Sequence, residues 1–158
     1  MASTPAVRAL EKQSVPHTLH PYEAGHAADA GYGEAAAAAL GADPRQLFKT
    51  LVTRVDGALT VAVVPVSGSL DLKALAAAAG GRKAVMAEPA DAERATGYVV
   101  GGISPLGQRT RLPTVVDESA LQFPTVLVSA GRRGLQVELA PGDLVRLTGA
   151  RTAPVARC

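Results

Sequence analysis

Residues 96–107 read T-G-Y-V-V-G-G-I-S-P-L-G, with no charged side chain and five backbone-permissive residues: Gly97, Gly101, Gly102, Pro105 and Gly107. Glycine is used where a chain must take positive φ or let another group come close to its backbone. The glycines surround an apolar, strand-like run. A segment so poor in side-chain chemistry predicts a site made from main-chain N–H and C=O groups, one that reads its ligand by backbone hydrogen bonds and shape.

The 158 residues fit one domain of ordinary size. A chain of this length buries roughly 70% of its unfolded surface, so neither a metal nor a disulfide is needed to hold it. The composition is 47% hydrophobic but only 3% aromatic, without tryptophan. The core must therefore be mostly alanine, valine and leucine, and aromatic platforms for single-stranded nucleic acid are disfavoured. A formal charge of +2 falls well short of a DNA-binding domain, though a local patch can still hold a few phosphates. The single cysteine, Cys158, excludes an internal disulfide and argues against a cysteine metal site. A reducing cytoplasm is the expected location. Residues 1–15 contain Arg8, Glu11 and Lys12 and no apolar signal core. The longest apolar runs, such as 59–66, are too short to span a bilayer.

Helices are expected where caps and breakers bracket alanine-rich or periodic runs. The first is short, with Thr4 as N-cap and Pro5 leading. Others cover 34–40, a stretch ending at Ala79 and capped by Ser69 or Asp71, 88–95, and a last one from Pro141 to Leu147. Strands are expected at 17–22, 47–55, 59–66, 114–116, 125–129 and 135–139, with Asp56-Gly57 as a hairpin turn. Residues 25–33 read as a loop. Interleaved helices and strands, several joined by tight turns, predict an α+β fold: a mixed, barrel-like sheet flanked by helices.

Familiar catalytic motifs fail. Gly80-Gly81-Arg82-Lys83 lacks the spacing of a phosphate-binding loop, and no dinucleotide fingerprint follows a strand. Ser104 lies in G-I-S-P-L-G, where Pro105 removes the N–H an oxyanion hole would need, so a turn serine is the better reading. His17, His20 and His26 have no obvious carboxylate beside them, and His17 and His20 fall on opposite strand faces; no metal site is expected. Lys49, in Q-L-F-K-T-L-V, is either an outward-facing strand lysine or a cation at a pocket rim that meets a phosphate or carboxylate. S-A-G-R-R-G at 129–134 is either a hairpin with solvated arginines or an anion-binding turn.

F-K-T-L-V at 48–52, the long glycine motif and S-A-G-R-R-G-L at 129–135, in this order, resemble the YbaK/prolyl-tRNA-synthetase-associated domain family over nearly the whole chain. That family comprises trans-acting aminoacyl-tRNA deacylases and editing domains of prolyl-tRNA synthetases. The G-G-I-S-P-L-G form resembles the free-standing branch that removes cysteine mischarged on proline tRNA. The resemblance implies a mixed barrel-like sheet with flanking helices, no cofactor, aminoacyl-tRNA as partner and prolyl-tRNA synthetase as a possible second one. It also implies roles by position. Lys49 matches the lysine that holds the acceptor end, with Thr50 beside it. Gly101 and Gly102 match the glycine pair lining the aminoacyl site. Tyr22 and Tyr32 match aromatic residues near the pocket, and Ser129 the serine that opens the S-G-G-K-R-G-like loop. Ala130 and Arg132 depart from that loop, and Gln136 stands where relatives often carry aspartate.

The mechanism implied is attack by the substrate's own thiol on its ester carbonyl, helped by backbone N–H groups near Gly101. A methyl at Gly101 is expected to intrude on the substrate. Three other readings stay open on sequence: a relative that acts on another misacylated tRNA with water as nucleophile, a non-catalytic tRNA- or synthetase-binding module, and a small-molecule pocket on the same scaffold.

Overall fold

The computed structural model describes residues 3–23 and 32–157. His26, Cys158 and most of the loop expected at 25–33 lie outside them. Helix α1 (Pro5–Lys12) starts as its sequence predicts: the Thr4 hydroxyl accepts the Val7 N–H at 3.1 Å and donates to the Ala130 carbonyl. Ala6, Val7 and Leu10 turn inward. Strand β1 (Thr18–Pro21) follows, then α2 (Tyr32–Leu40), which begins two residues before the expected start. Strands β2 (Phe48–Val55) and β3 (Ala58–Pro65) form a hairpin. Its two turn residues, Asp56 and Gly57, both have positive φ, 49° and 86°, as the right-handed twist of a two-residue turn requires.

Strand β4 (Ser69–Leu70) precedes α3 (Leu72–Ala78), which is capped by Asp71 rather than Ser69. Then come β5 (Ala84–Met86), α4 (Pro89–Thr96) and β6 (Thr114–Asp117). After a 3-10 turn at Glu118–Gln122, β7 (Val126–Arg132) and β8 (Leu135–Leu139) make a second hairpin. Helix α5 (Pro141–Thr148), β9 (Arg151–Ala153) and β10 (Ala156–Arg157) complete the described chain.

The largest sheet is mixed, as expected. Five strands run β5-β2-β3-β6-β9, antiparallel on the β5 side and parallel from β3 to β9. Three run β1-β8-β7, all antiparallel, and β4 pairs with β10. One parallel bridge, Leu47 to Leu127, joins the first two sheets. Among the described residues this is an open arrangement of sheets and not a closed barrel.

Strand β3 holds the arrangement together. Val61 and Val63 point into a core shared with α1, β7, β8 and α5, whereas Ala62 and Val64 pack with Leu75 and Ala76 of α3. Both faces are buried, so its sequence is a continuous apolar run without alternation.

The glycine-rich segment corrects the sequence reading, because it contains no strand. From Gly97 to Pro113 the chain is turns and bends. It closes on itself through the buried Tyr98, whose hydroxyl donates to the Leu106 carbonyl at 2.6 Å, and through Ser104, whose Oγ accepts the Leu106 N–H. Ser104 is fully buried in this turn.

Leu75 is fully buried on the face of β3 served by α3. Leu75→Ala should cost about 2–5 kcal/mol, read as a lower urea midpoint with an unchanged slope. An unchanged midpoint would show that this second core contributes little.

Candidate functional site

A cavity of about 300 Å3 opens where the two larger sheets meet. Its walls are the start of β2, the first turn of α2, the β5–α4 connection, the glycine segment and the paired strands β7 and β8. Apolar side chains dominate: Leu47, Phe48, Leu51, Met86 and Ile103. Among the described lining residues there is no carboxylate, histidine or cysteine, and Lys49 is the one cation.

Lys49, Thr50, Tyr32, Gly101 and Ser129, five residues proposed from sequence, come together here. They arrive from β2, α2, the glycine segment and β7. Tyr22 and Gly102 are not in the cavity wall. Tyr22 packs, half-buried, against the small cluster of Ala36, Ala37, Leu47, Val66 and Leu127. Gly102 is buried where two backbones cross: a Cβ on it would lie 2.8–2.9 Å from main-chain atoms of Arg132 and Arg133.

The pairing of β2 with β3 sets Thr50 across from Val63 and Lys49 across from Val64. These valines serve different cores, so the two polar neighbours belong to opposite strand faces, as alternation requires. Lys49 is half-buried and forms no ion pair among the described residues.

Gln136 is the residue that sequence reasoning undervalued. It is only 5% exposed, lines the cavity and faces Ser129 across the β7–β8 ladder. Its Oε1 is buried without a hydrogen-bond partner among the described residues, and so is Thr50 Oγ1. Buried acceptors are normally paired. Two orphans in one cavity wall mark positions that a ligand donor can satisfy. A polar residue between Leu135 and Val137 reads as an outward strand position, which is why pattern alone pointed elsewhere.

Gly101 has φ +92°. A Cβ there would sit 2.6 Å from Arg133 Nε and 3.0 Å from the Tyr32 ring. The expected clash of a methyl with substrate is thus preceded by a clash with the protein itself. Arg133 lies over Tyr32, its Cζ 4.5 Å from the ring centroid, a cation–π arrangement.

The histidines differ from expectation in one respect. His20 does have a carboxylate: its Nε2 lies 2.8 Å from Glu138 Oε1, and the Thr125 hydroxyl donates to Glu138 Oε2. The pairing was hidden because 118 residues separate the partners. His17 Nδ1 meets only the Val15 carbonyl. Among the described residues no group of three or more His, Cys, Asp or Glu side chains is placed to hold a metal, and no helix is long and apolar enough to cross a membrane.

Residues 27–147 match the model of the aminoacyl-tRNA editing domain. The chain is 41% identical over 154 residues to a protein of Enterococcus faecalis named as a Cys-tRNA(Pro)/Cys-tRNA(Cys) deacylase, EbsC, covering 96% of this chain and 92% of that one. It is 31% identical over 104 residues to the multifunctional Ser/Thr-tRNA deacylase ProXp-y of Escherichia coli, covering 63% of this chain and 62% of the relative. A crystal structure described as a trans-editing enzyme for prolyl tRNA synthetase superposes over 100% of both chains, with a TM-score of 0.84 and 28% identity.

The Thr125 hydroxyl first, and His20 second, hold the Glu138 carboxyl below the ordinary glutamate value of 4.5. A carboxyl whose pKa falls on folding stabilises the fold above its unfolded pKa. That contribution is lost as pH falls through the folded value. Glu138→Gln should therefore lower Tm at neutral pH and flatten the decline of Tm below about pH 4.5, measured by thermal denaturation across a pH series. Parallel wild-type and variant curves would count against the linkage.

Proposed function

The chain belongs to the aminoacyl-tRNA editing domain family and is an aminoacyl-tRNA deacylase, and from that premise we propose that it clears cysteine mischarged onto proline tRNA, in trans, at the cavity described above. The carrying observation is the cavity's chemistry. Its described wall is mostly apolar and offers no carboxylate, histidine or cysteine, yet holds acceptors at Thr50 and Gln136 that have no partner among the described residues. Such a site suits a reaction in which the protein positions groups that the substrate itself supplies.

Cysteinyl-tRNA supplies both reacting groups. Its sulfur attacks its ester carbonyl carbon, a C–S bond forms, and the ester C–O bond breaks. The thiol proton ends on the departing ribose oxygen, leaving free tRNA and a cyclic thiolactone that water then opens. Thr50 Oγ1 and Gln136 Oε1 accept from the substrate's α-amino group, with Ser129 beside them. Tyr32 and the apolar wall exclude water, which strengthens each of these contacts. Gly101 N–H donates to the developing oxyanion. Lys49 grips the acceptor end, where its ammonium meets phosphate as a point charge. Proline tRNA as the carrier, prolyl-tRNA synthetase as a helper and action in the cytoplasm complete the reading. The superposed trans-editing structure and the EbsC likeness support it.

The ProXp-y likeness favours a second reading in which the same acceptors hold a seryl or threonyl hydroxyl and water is the nucleophile. Substrate choice separates the two. Purified protein should deacylate cysteinyl-tRNA(Pro) rapidly and the seryl, threonyl and alanyl forms slowly, and S-methylation of the cysteine should stop turnover. Equal turnover of S-methylated substrate would overturn the thiol mechanism. Lys49→Ala should lower kcat/KM by roughly 10- to 150-fold, the worth of a hydrogen bond to a charged group. Thr50→Val and Gln136→Met should each lower it by about 2- to 12-fold, as for neutral hydrogen bonds. Wild-type rates in all three variants would move the reaction out of this cavity.

A further inference from the structure

Two consecutive peptide units of the glycine segment are held almost completely. The first joins Val99 to Val100. Its carbonyl accepts the Gly102 N–H at 2.9 Å, and its N–H donates to Glu93 Oε2 at 2.8 Å. The second joins Val100 to Gly101. Its carbonyl accepts two bonds from Arg133, from Nε at 3.1 Å and Nη2 at 2.7 Å. Three of the four polar groups are engaged. Among the described residues the fourth, Gly101 N–H, donates to nothing.

The Gly102-to-Val99 bond closes a four-residue turn with Val100 and Gly101 at its centre. A positive φ at the second central residue, here +92°, is the signature of the type II form. Type I and type II turns differ chiefly by reversal of the central peptide, and glycine tolerates both. That peptide is the one Arg133 holds. In a trans peptide the C=O and N–H point in opposite directions, so fixing the Val100 oxygen on Arg133 also fixes where Gly101 N–H points.

We propose that Arg133 is a positioning residue for deacylation: its guanidinium selects the type II orientation of the Val100–Gly101 peptide and thereby aims Gly101 N–H as the oxyanion donor. The inference rests on the proposed reaction at this cavity. Arginine is needed because two N–H groups must converge on one oxygen while the planar group lies on Tyr32. Lysine keeps the charge and loses the fork. The hydrogen of Gly101 leaves the room that the guanidinium occupies.

The test uses Arg133→Lys and Arg133→Ala with cysteinyl-tRNA(Pro) in single-turnover assays, tRNA affinity measured in parallel. Both variants should lose roughly 100-fold in rate, the scale for a misplaced catalytic group, with tRNA affinity within about threefold of wild type. Nuclear Overhauser effects supply the structural readout. In wild type Val100 Hα should give the strong contact to Gly101 N–H, and in the variants the strong contact should move to the Val100 amide proton. Near-wild-type rate in Arg133→Lys, a loss confined to tRNA affinity, or a rate loss with an unmoved contact pattern would each overturn the proposal. If Arg133→Ala folds poorly, Arg133→Lys decides alone. Lys49→Ala separates the two levels. Wild-type rates in Lys49→Ala, Thr50→Val and Gln136→Met together refute the site, whereas a slowed Lys49→Ala enzyme beside a fully active Arg133→Lys enzyme refutes only the role of Arg133.

Discussion

A long segment without helix or strand must still satisfy its backbone polar groups, because an unpaired buried N–H or C=O costs as much as a lost hydrogen bond. The run after α4 meets this demand with side chains. Tyr98 takes the Leu106 carbonyl, Ser104 the Leu106 amide, Glu93 the Val100 amide and Arg133 the Val100 carbonyl. Burial pushes the Tyr98 phenol up to about 12, so it keeps its proton and remains a donor at any physiological pH. Rigidity without regular secondary structure is what a site made of main-chain groups needs. A helix or strand would already have used the amides that the ligand must find.

The same economy of polar groups shapes the cavity. Its wall joins a half-buried ammonium, two unpartnered oxygens and one open amide to an otherwise apolar surface. Oriented dipoles in such surroundings act more strongly than in water. Among the described lining residues no carboxylate, histidine or cysteine accompanies these groups. No arginine among the described residues lines the cavity, and Arg133, nearby over Tyr32, is bound to the Val100 carbonyl.

Much of this was readable from the chain. Caps and breakers placed α1, α4 and α5 closely, since Thr4, Pro89, Gly97, Pro141 and Gly149 act through local geometry alone. The Asp56-Gly57 turn set the long hairpin for the same reason. Short strands such as β4, β9 and β10 were not legible, because two or three residues carry no periodicity and exist only through their partners. The glycine segment misled in the opposite sense: Tyr98-Val99-Val100 has strand composition, but Glu93 and Arg133 take the hydrogen bonds that a neighbouring strand would need. At the site, motif residues announced Lys49, Thr50 and Ser129. The burial of Gln136 and the pairing of His20 with Glu138 depend on the β1–β8–β7 register, which no single stretch of sequence encodes.

The register of β7 on β8 shifts between Ser129 and Arg132. The hairpin tip lies against the glycine segment, where Arg133 reaches the Val100 carbonyl, while Ser129 stays opposite Gln136. Surface loops usually tolerate a residue gained or lost. This one does not have that freedom. Adding or removing a single residue between Ser129 and Arg133 would carry Arg133 off the Val100 carbonyl, even with Ser129 still opposite Gln136. The hairpin is in effect a ruler whose length is fixed at both ends, so variation among such proteins should enter it by substitution and not by insertion.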